Sequence, residues 1–310
     1  MKSDHYIASS DSDQTLHYII WEPETQPKGV VQLVHGMEEY IARYDTFAQI
    51  LTKEGWAVIG HDHLGHGTSG NWERGFFTEK ENGAQILIDD MHLMTLKARS
   101  LWQNIPVFIF GHSMGSFFSR KYLVDYGKDI DGLIICGSGW YPPIATGAGY
   151  WAAKIIGKIK GCHSKDSFLT ALCSLPFLFA FRKEGKGAWL SKNKENVKTY
   201  NEDSLCGFGF TCGGYRDMYR NLLLVSLHHN YHKLTPIPIL IISGADDPVG
   251  GKNSVKKIAA EYRKYGFQDV TEKTIEGNRH EILFEENAVE TMGYLVQWMN
   301  KQYEKQTINF

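Results

Sequence analysis

Val107-Phe-Ile-Phe-Gly-His-Ser-Met-Gly115 runs from an apolar stretch into a serine flanked by glycines, and a helix-like segment, 117–126, follows. The run behind Pro106 has the length and apolarity of a buried strand. The turn after it is tight, so a side chain on either side of Ser113 would meet neighbouring backbone, and glycine relieves that. A serine held on such a strand-to-helix turn projects above the strand ends, and the N-terminal N–H groups of the next helix point at it. A glycine-rich turn with an incidental serine has the same five residues. The strand before and the helix after favour Ser113 as a nucleophile.

Outward from this turn the chain alternates. Residues 15–21 alternate apolar and polar positions, as a partly exposed strand would, and Gly29-Val-Val-Gln-Leu-Val-His35 reads as a buried strand. A helix is predicted over 42–54 with Gly55 to stop it, then a strand over 57–60, a helix over 82–103 and a strand over 132–136. The rhythm fails between 139 and 232 and resumes with a strand at 238–243, a helix at 252–265, a strand at 269–275 and an amphipathic helix at 286–303. Strands separated by helices of this length mean right-handed crossovers and a mostly parallel central sheet flanked by helices. Residues 1–138 and 233–310 therefore form one core, and 139–232 is a helical cap inserted into it.

Composition narrows the function. The 310 residues are 43% hydrophobic, enough for a large core, and carry a formal net charge of −2. Without a basic excess there is no electrostatic support for nucleic-acid binding. The N-terminal residues lack the apolar region of a signal peptide, and the greasy run 171–181, broken by Ser174 and Pro176, is too short to span a bilayer. Five cysteines without a C-x-x-C pair suggest free thiols in a reducing compartment, so a cytoplasmic protein is expected.

A serine hydroxyl needs a base, and the base needs a third group to orient it. Both should stand on loops after strands, where an open α/β sheet assembles its site. Gly277-Asn-Arg-His280 follows the strand at 269–275 and supplies His280 as the base. Gly244-Ala-Asp-Asp247 follows the strand at 238–243 and offers two neighbouring carboxylates, Asp246 and Asp247, which residue chemistry alone does not separate. His228, His229 and His232 read as ordinary surface or packing residues.

The chain resembles the monoacylglycerol lipase and lysophospholipase branch of the α/β-hydrolases, grouped as serine aminopeptidase-like hydrolases. The resemblance rests on His35-Gly-Met-Glu-Glu39 with Arg43-Tyr44, Asp62-His-Leu-Gly-His-Gly67 with Ser69, Gly111-His-Ser-Met-Gly115, Gly244-Ala-Asp-Asp247 and Arg279-His-Glu281. These lie in order and span nearly the whole chain outside the cap. The resemblance implies an α/β-hydrolase fold and selects Asp247 as the acid, leaving Asp246 as a turn residue. It implies an oxyanion hole made by the backbone N–H groups of Met37 and Met114, with His35 supporting the loop. Glu39 and Arg43, four residues apart, read either as a solvated pair holding the loop or as a polar end of the substrate pocket, with His112 beside the nucleophile as a further substrate contact. No metal or cofactor is expected, although His61, His63 and His66 with Asp62 have a loose metal-ligand spacing.

The cap is rich in aromatics, among them Trp140, Tyr150-Trp151, Trp189 and the run Leu175–Phe179, which suit a lid over an apolar pocket. Lys154, Lys158 and Lys160 beside Trp151, Ile155 and Ile156 suggest transient membrane-surface contact. The reading is a serine hydrolase of carboxylic esters, acting on a small-molecule ester or lipid of monoacylglycerol or lysophospholipid type. Its competitors are an aminopeptidase, with Glu195, Glu202 or Asp203 capturing the amine, and a non-catalytic ligand receptor. Dehalogenase and epoxide hydrolase chemistry is disfavoured because those relatives place Asp where Ser113 stands.

Overall fold

The structure is a computed structural model describing residues 1–71 and 73–308, without the side chains of Leu175, Pro176, Leu178 and 306–308. Among the described residues eight strands form one sheet in the order β1-β2-β4-β3-β5-β6-β7-β8. They are β1 (Lys2–Ala8), β2 (Thr15–Trp21), β3 (Gly29–Val34), β4 (Trp56–His61), β5 (Val107–His112), β6 (Gly132–Cys136), β7 (Ile239–Gly244) and β8 (Val270–Ile275). Pairing is antiparallel for β1–β2 and β2–β4 and parallel across the rest. The fold is that of an α/β-hydrolase.

Strand periodicity sorts the core onto two faces. Val30, Ile59, Val107 and Ile109 point to one face, where α2 (Gly83–Leu101), α3 (Met114–Tyr126) and α8 (Gly251–Lys264) cover them. Val31, Leu33, Phe108 and Phe110 point to the other, against α1 (Asp45–Lys53) and α9 (Ala288–Ile308). Each strand from β3 to β7 is buried on both faces, which is why its sequence reads as a continuous apolar run.

One strand is an addition to the expected set and one expectation is corrected. β1 went unread because Lys-Ser-Asp-His-Tyr-Ile-Ala is an edge strand with charged and polar side chains and little apolar signal. β2 is buried from Leu16 onward rather than partly exposed, because Leu16, Tyr18 and Ile20 pack into the core on one face of the sheet and Ile19 and Trp21 into the core on the other. Its polar His17 is accommodated by Asp62, 2.8 Å from Nδ1, and Asp4, 2.9 Å from Nε2.

Between β6 and β7 the chain leaves the sheet and forms α4 (Pro143–Lys160), α5 (Ser167–Phe181), α6 (Lys194–Glu202) and α7 (Cys212–Ser226). Of the run Leu175–Phe179, only Phe177 and Phe179 have described side chains. No helix among the described residues is long and apolar enough to cross a membrane.

Candidate active site

Ser113 sits between β5 and α3 with φ +51°, a conformation that costs a residue with a Cβ about 1–3 kcal/mol. The turn is held by Ser113 N–H donating to Cys136 O at 2.9 Å and by Ser116 Oγ donating to Ser113 O at 2.5 Å. The flanking glycines have a measurable reason. A Cβ on Gly111 would stand 2.3 Å from Ser119 Oγ, and one on Gly115 would stand 2.2 Å from Val34 O and 2.5 Å from His35 O. Glycine at 115 is what lets α3 approach the end of β3.

Three side chains from three loops meet here. Ser113 Oγ lies 2.8 Å from His280 Nε2, and His280 Nδ1 lies 3.0 Å from Asp247 Oδ1. With Nδ1–H donating to the carboxylate, Nε2 is the acceptor facing the hydroxyl. Burial works to raise the Asp247 pKa, but His280, the Ser243 hydroxyl at 2.7 Å and the Val249 N–H at 2.8 Å outweigh it and hold the carboxyl below its ordinary value. Its neighbour Asp246 points outward to Lys192, 2.8 Å away, and both side chains are exposed. Geometry thus separates the two carboxylates that residue chemistry left open.

The loop after β3 lies against the nucleophile, close enough that a Cβ on Gly36 would stand 3.1 Å from Ser113 Cβ. Met37 and Met114 line the same cavity as Ser113, and among the described residues neither backbone N–H has a hydrogen-bond partner. His35 braces the loop. Its Nε2 accepts from the His63 N–H at 3.0 Å, which leaves Nδ1–H to donate to Gly36 O at 2.8 Å.

Glu39 and Arg43 do not form a solvated pair. Glu39 is 2% exposed, and its Oε1 accepts from Gly36 N–H, Tyr44 OH and His112 Nδ1 at 2.6, 2.9 and 3.1 Å. Its Oε2 accepts from Arg43 at 2.7 Å. The Arg43 guanidinium also grips Glu281 at 2.7 and 3.1 Å. Burial opposes the charge on Glu39, yet His112 and Arg43 hold its carboxyl far below the ordinary range. Burial likewise opposes charge on His112, and Glu39 raises its pKa regardless. Glu39 and His112 line the Ser113 cavity, whereas Arg43 lines a separate cavity behind it. The network's partners inside the protein leave Glu39 little capacity for a ligand.

The cavity at Ser113 holds about 460 Å³, within the range of small-molecule sites. Its walls include Phe117, Tyr141, Leu172, Phe177, Trp189 and Tyr219, with Glu38, Lys186 and Asn201 as polar members. Trp189 also packs on the His280 ring at 5.1 Å between centroids. Of the acids named for amine capture, Glu195 and Asp203 line the other cavity and Glu202 lines neither.

The sequence reading gave no site role to Glu38, Glu281 or Glu285. Glu285 accepts from Arg279 N–H at 2.7 Å and from Ser191 Oγ at 2.8 Å, tying the His280 loop to the segment before α6. Only the adjacency of Glu281 to His280 was visible. The histidines of the 61–66 run stay uncharged, since burial pushes His61 and His66 down to about 3. The one cluster of three metal-ligand side chains among the described residues lies elsewhere, at Glu79, Cys162 and His163.

A serine on a strand-to-helix turn, above a mostly parallel sheet with a histidine and an aspartate on later loops, defines the class of α/β-hydrolases. Residues 25–287 match the serine aminopeptidase S33 family, and the chain belongs to that family. A monoglyceride lipase of Mus musculus is 26% identical over 281 residues, covering 89% of this chain and 82% of its own. A monoglyceride lipase homologue of Monkeypox virus is 37% identical over 108 residues, 32% of this chain and 34% of its own. The solved carboxyl esterase of Bacillus coagulans, in complex with glycerol, superposes with a TM-score of 0.85 at 23% identity, covering 97% and 99% of the two chains.

Proposed function

We propose that this chain hydrolyses carboxylic esters of monoacylglycerol or lysophospholipid type through an acyl-enzyme on Ser113. The observation that carries the reading is the relay from Ser113 to His280 to Asp247, at 2.8 and 3.0 Å, opening on an apolar-walled cavity. Similarity to monoglyceride lipases supports the substrate class.

Ser113 Oγ attacks the ester carbonyl while its proton passes to His280 Nε2. The oxygen that becomes negative is met by the Met37 and Met114 N–H groups, and Asp247 stabilises the imidazolium. The C–O bond breaks, and the alcohol leaves with the proton from Nε2. Water then enters, gives its proton to the same nitrogen and releases the acid as Ser113 recovers its hydrogen. The oxyanion donors are backbone, so both methionine side chains remain free to form walls.

Residues 139–232 act as the cap that sets selectivity. The exposed apolar residues Ile144, Trp151, Ile155, Ile159 and Phe168 on α4 and α5 provide the contact with a lipid surface. The five free cysteines favour a reducing, cytoplasmic compartment. An aminopeptidase receives less support, since none of its three named acids lines the Ser113 cavity.

A p-nitrophenyl ester series from acetate to palmitate tests the reading. Turnover that rises toward the longer acyl chains is expected. Faster cleavage of aminoacyl anilides than of any ester would overturn it.

A further inference from the structure

Outside the lining of the Ser113 cavity, the turn between α4 and α5 meets the loop that precedes α2. Cys162 and His163 come from the turn and Glu79 from the loop, and one ligand atom of each lies within 4.8 Å of the others. Cys162 Sγ is 3.7 Å from Glu79 Oε2, and His163 Nε2 bonds to Glu79 Oε1. A single carboxylate thus faces a thiol and an imidazole at once. On the far side of the ring, His163 Nδ1 is 2.8 Å from Glu73 Oε1. A carboxylate on Nδ1 favours the tautomer with its proton on that nitrogen, so Nε2 is the atom left to bind a metal once its own proton is lost, as outer partners of metal-bound histidines arrange.

We propose that Glu79, Cys162 and His163 form a divalent-metal site, suited to zinc, that ties the α4–α5 turn to the body of the protein. A thiolate, an imidazole and a carboxylate are the donors zinc accepts, and the sulfur selects against magnesium and calcium. Thiolate and carboxylate together carry the two negative charges that neutralise the ion. Metal takes the place of the thiol proton and of any proton on Nε2, and a water completes the tetrahedron. The turn is already fixed in place, because Cys162 O accepts from Gly213 N–H and Ser164 O accepts from Cys212 N–H, both at 2.8 Å. The Phe76 ring lies 4.0 Å from that of His163 and limits its swing.

Cobalt(II) titrated into the full, chelator-stripped chain reads the site directly. One equivalent should bind with a thiolate-to-cobalt charge-transfer band that zinc then abolishes, and zinc should raise the melting temperature. Cys162→Ser should remove the band and the thermal shift, Glu73→Gln should weaken binding about 10- to 100-fold, and Cys212→Ser should change neither. Ester turnover by the metal-free variants checks that they are folded and keeps this result separate from the fate of the Ser113 assignment. A wild-type chain that binds no stoichiometric cobalt or zinc would overturn the proposal, as would a band that survives in Cys162→Ser.

Discussion

Asp247 and Asp246 are adjacent in sequence and opposite in circumstance, and this makes them the sharpest residue-level comparison in the chain. Asp247 is buried against His280, whereas Asp246 pairs with Lys192 in solvent. Asp247→Asn should lower kcat by roughly 10⁴-fold through the wrong imidazole tautomer, while Asp246→Asn leaves it nearly unchanged; steady-state ester kinetics decide. Glu39 sets a pH signature. Its folded carboxyl is depressed, so its contribution is complete above the ordinary value of about 4.3 and is lost as pH falls below it. The raised pKa of His112 acts in the other direction: its contribution is complete below about 6.5 and is lost as pH climbs through the folded value. Urea midpoints should therefore fall on both sides of neutrality, and Glu39→Gln should flatten both limbs while costing about 3–5 kcal/mol. Ser113 and His280 were legible because each stands at a fixed place after a strand. Asp247 needed the family resemblance, and the roles of Glu281 and Glu285 were not legible because Arg43 and Ser191 reach them from distant parts of the chain.

Among the elements, β3, β5 and α3 carry the site, and their packing leaves no room at Gly115. The atoms a Cβ would strike there are backbone oxygens of Val34 and His35, which cannot rotate away. Gly115→Ala should destabilise the protein by more than about 1–3 kcal/mol and separate the β3 loop from the nucleophile, so urea unfolding and turnover should fail together. Elements with a strong apolar period were legible to within a few residues. Gly55, with φ +81°, stands just past α1 where its sequence position said a helix should stop. β1 was not legible, since an edge strand is stabilised by its partner's backbone rather than by its own side chains.

At the scale of the whole molecule, the segment between β6 and β7 roofs the Ser113 cavity with residues of α5 and α7, and in the proposed function it sets selectivity. Its aromatic content was plain in the sequence, but which rings face the cavity was not. Trp189 and Phe177 do, whereas Trp151 and Phe168 are exposed and Phe210 packs in the core. Cys173, a small cavity-lining residue on α5, tests the division of labour. Cys173→Trp fills space an acyl chain would occupy, so kcat/KM for long-chain esters should drop about tenfold or more relative to acetate esters. Equal losses across the series would place the acyl chain elsewhere.

The most direct test is mass spectrometry of the full chain after exposure to a fluorophosphonate. A single adduct on the peptide that contains Ser113 is predicted, slowed in Asp247→Asn and absent in Ser113→Ala. An adduct on any other residue, or labelling that persists at full rate in Ser113→Ala, would contradict Ser113 as the nucleophile.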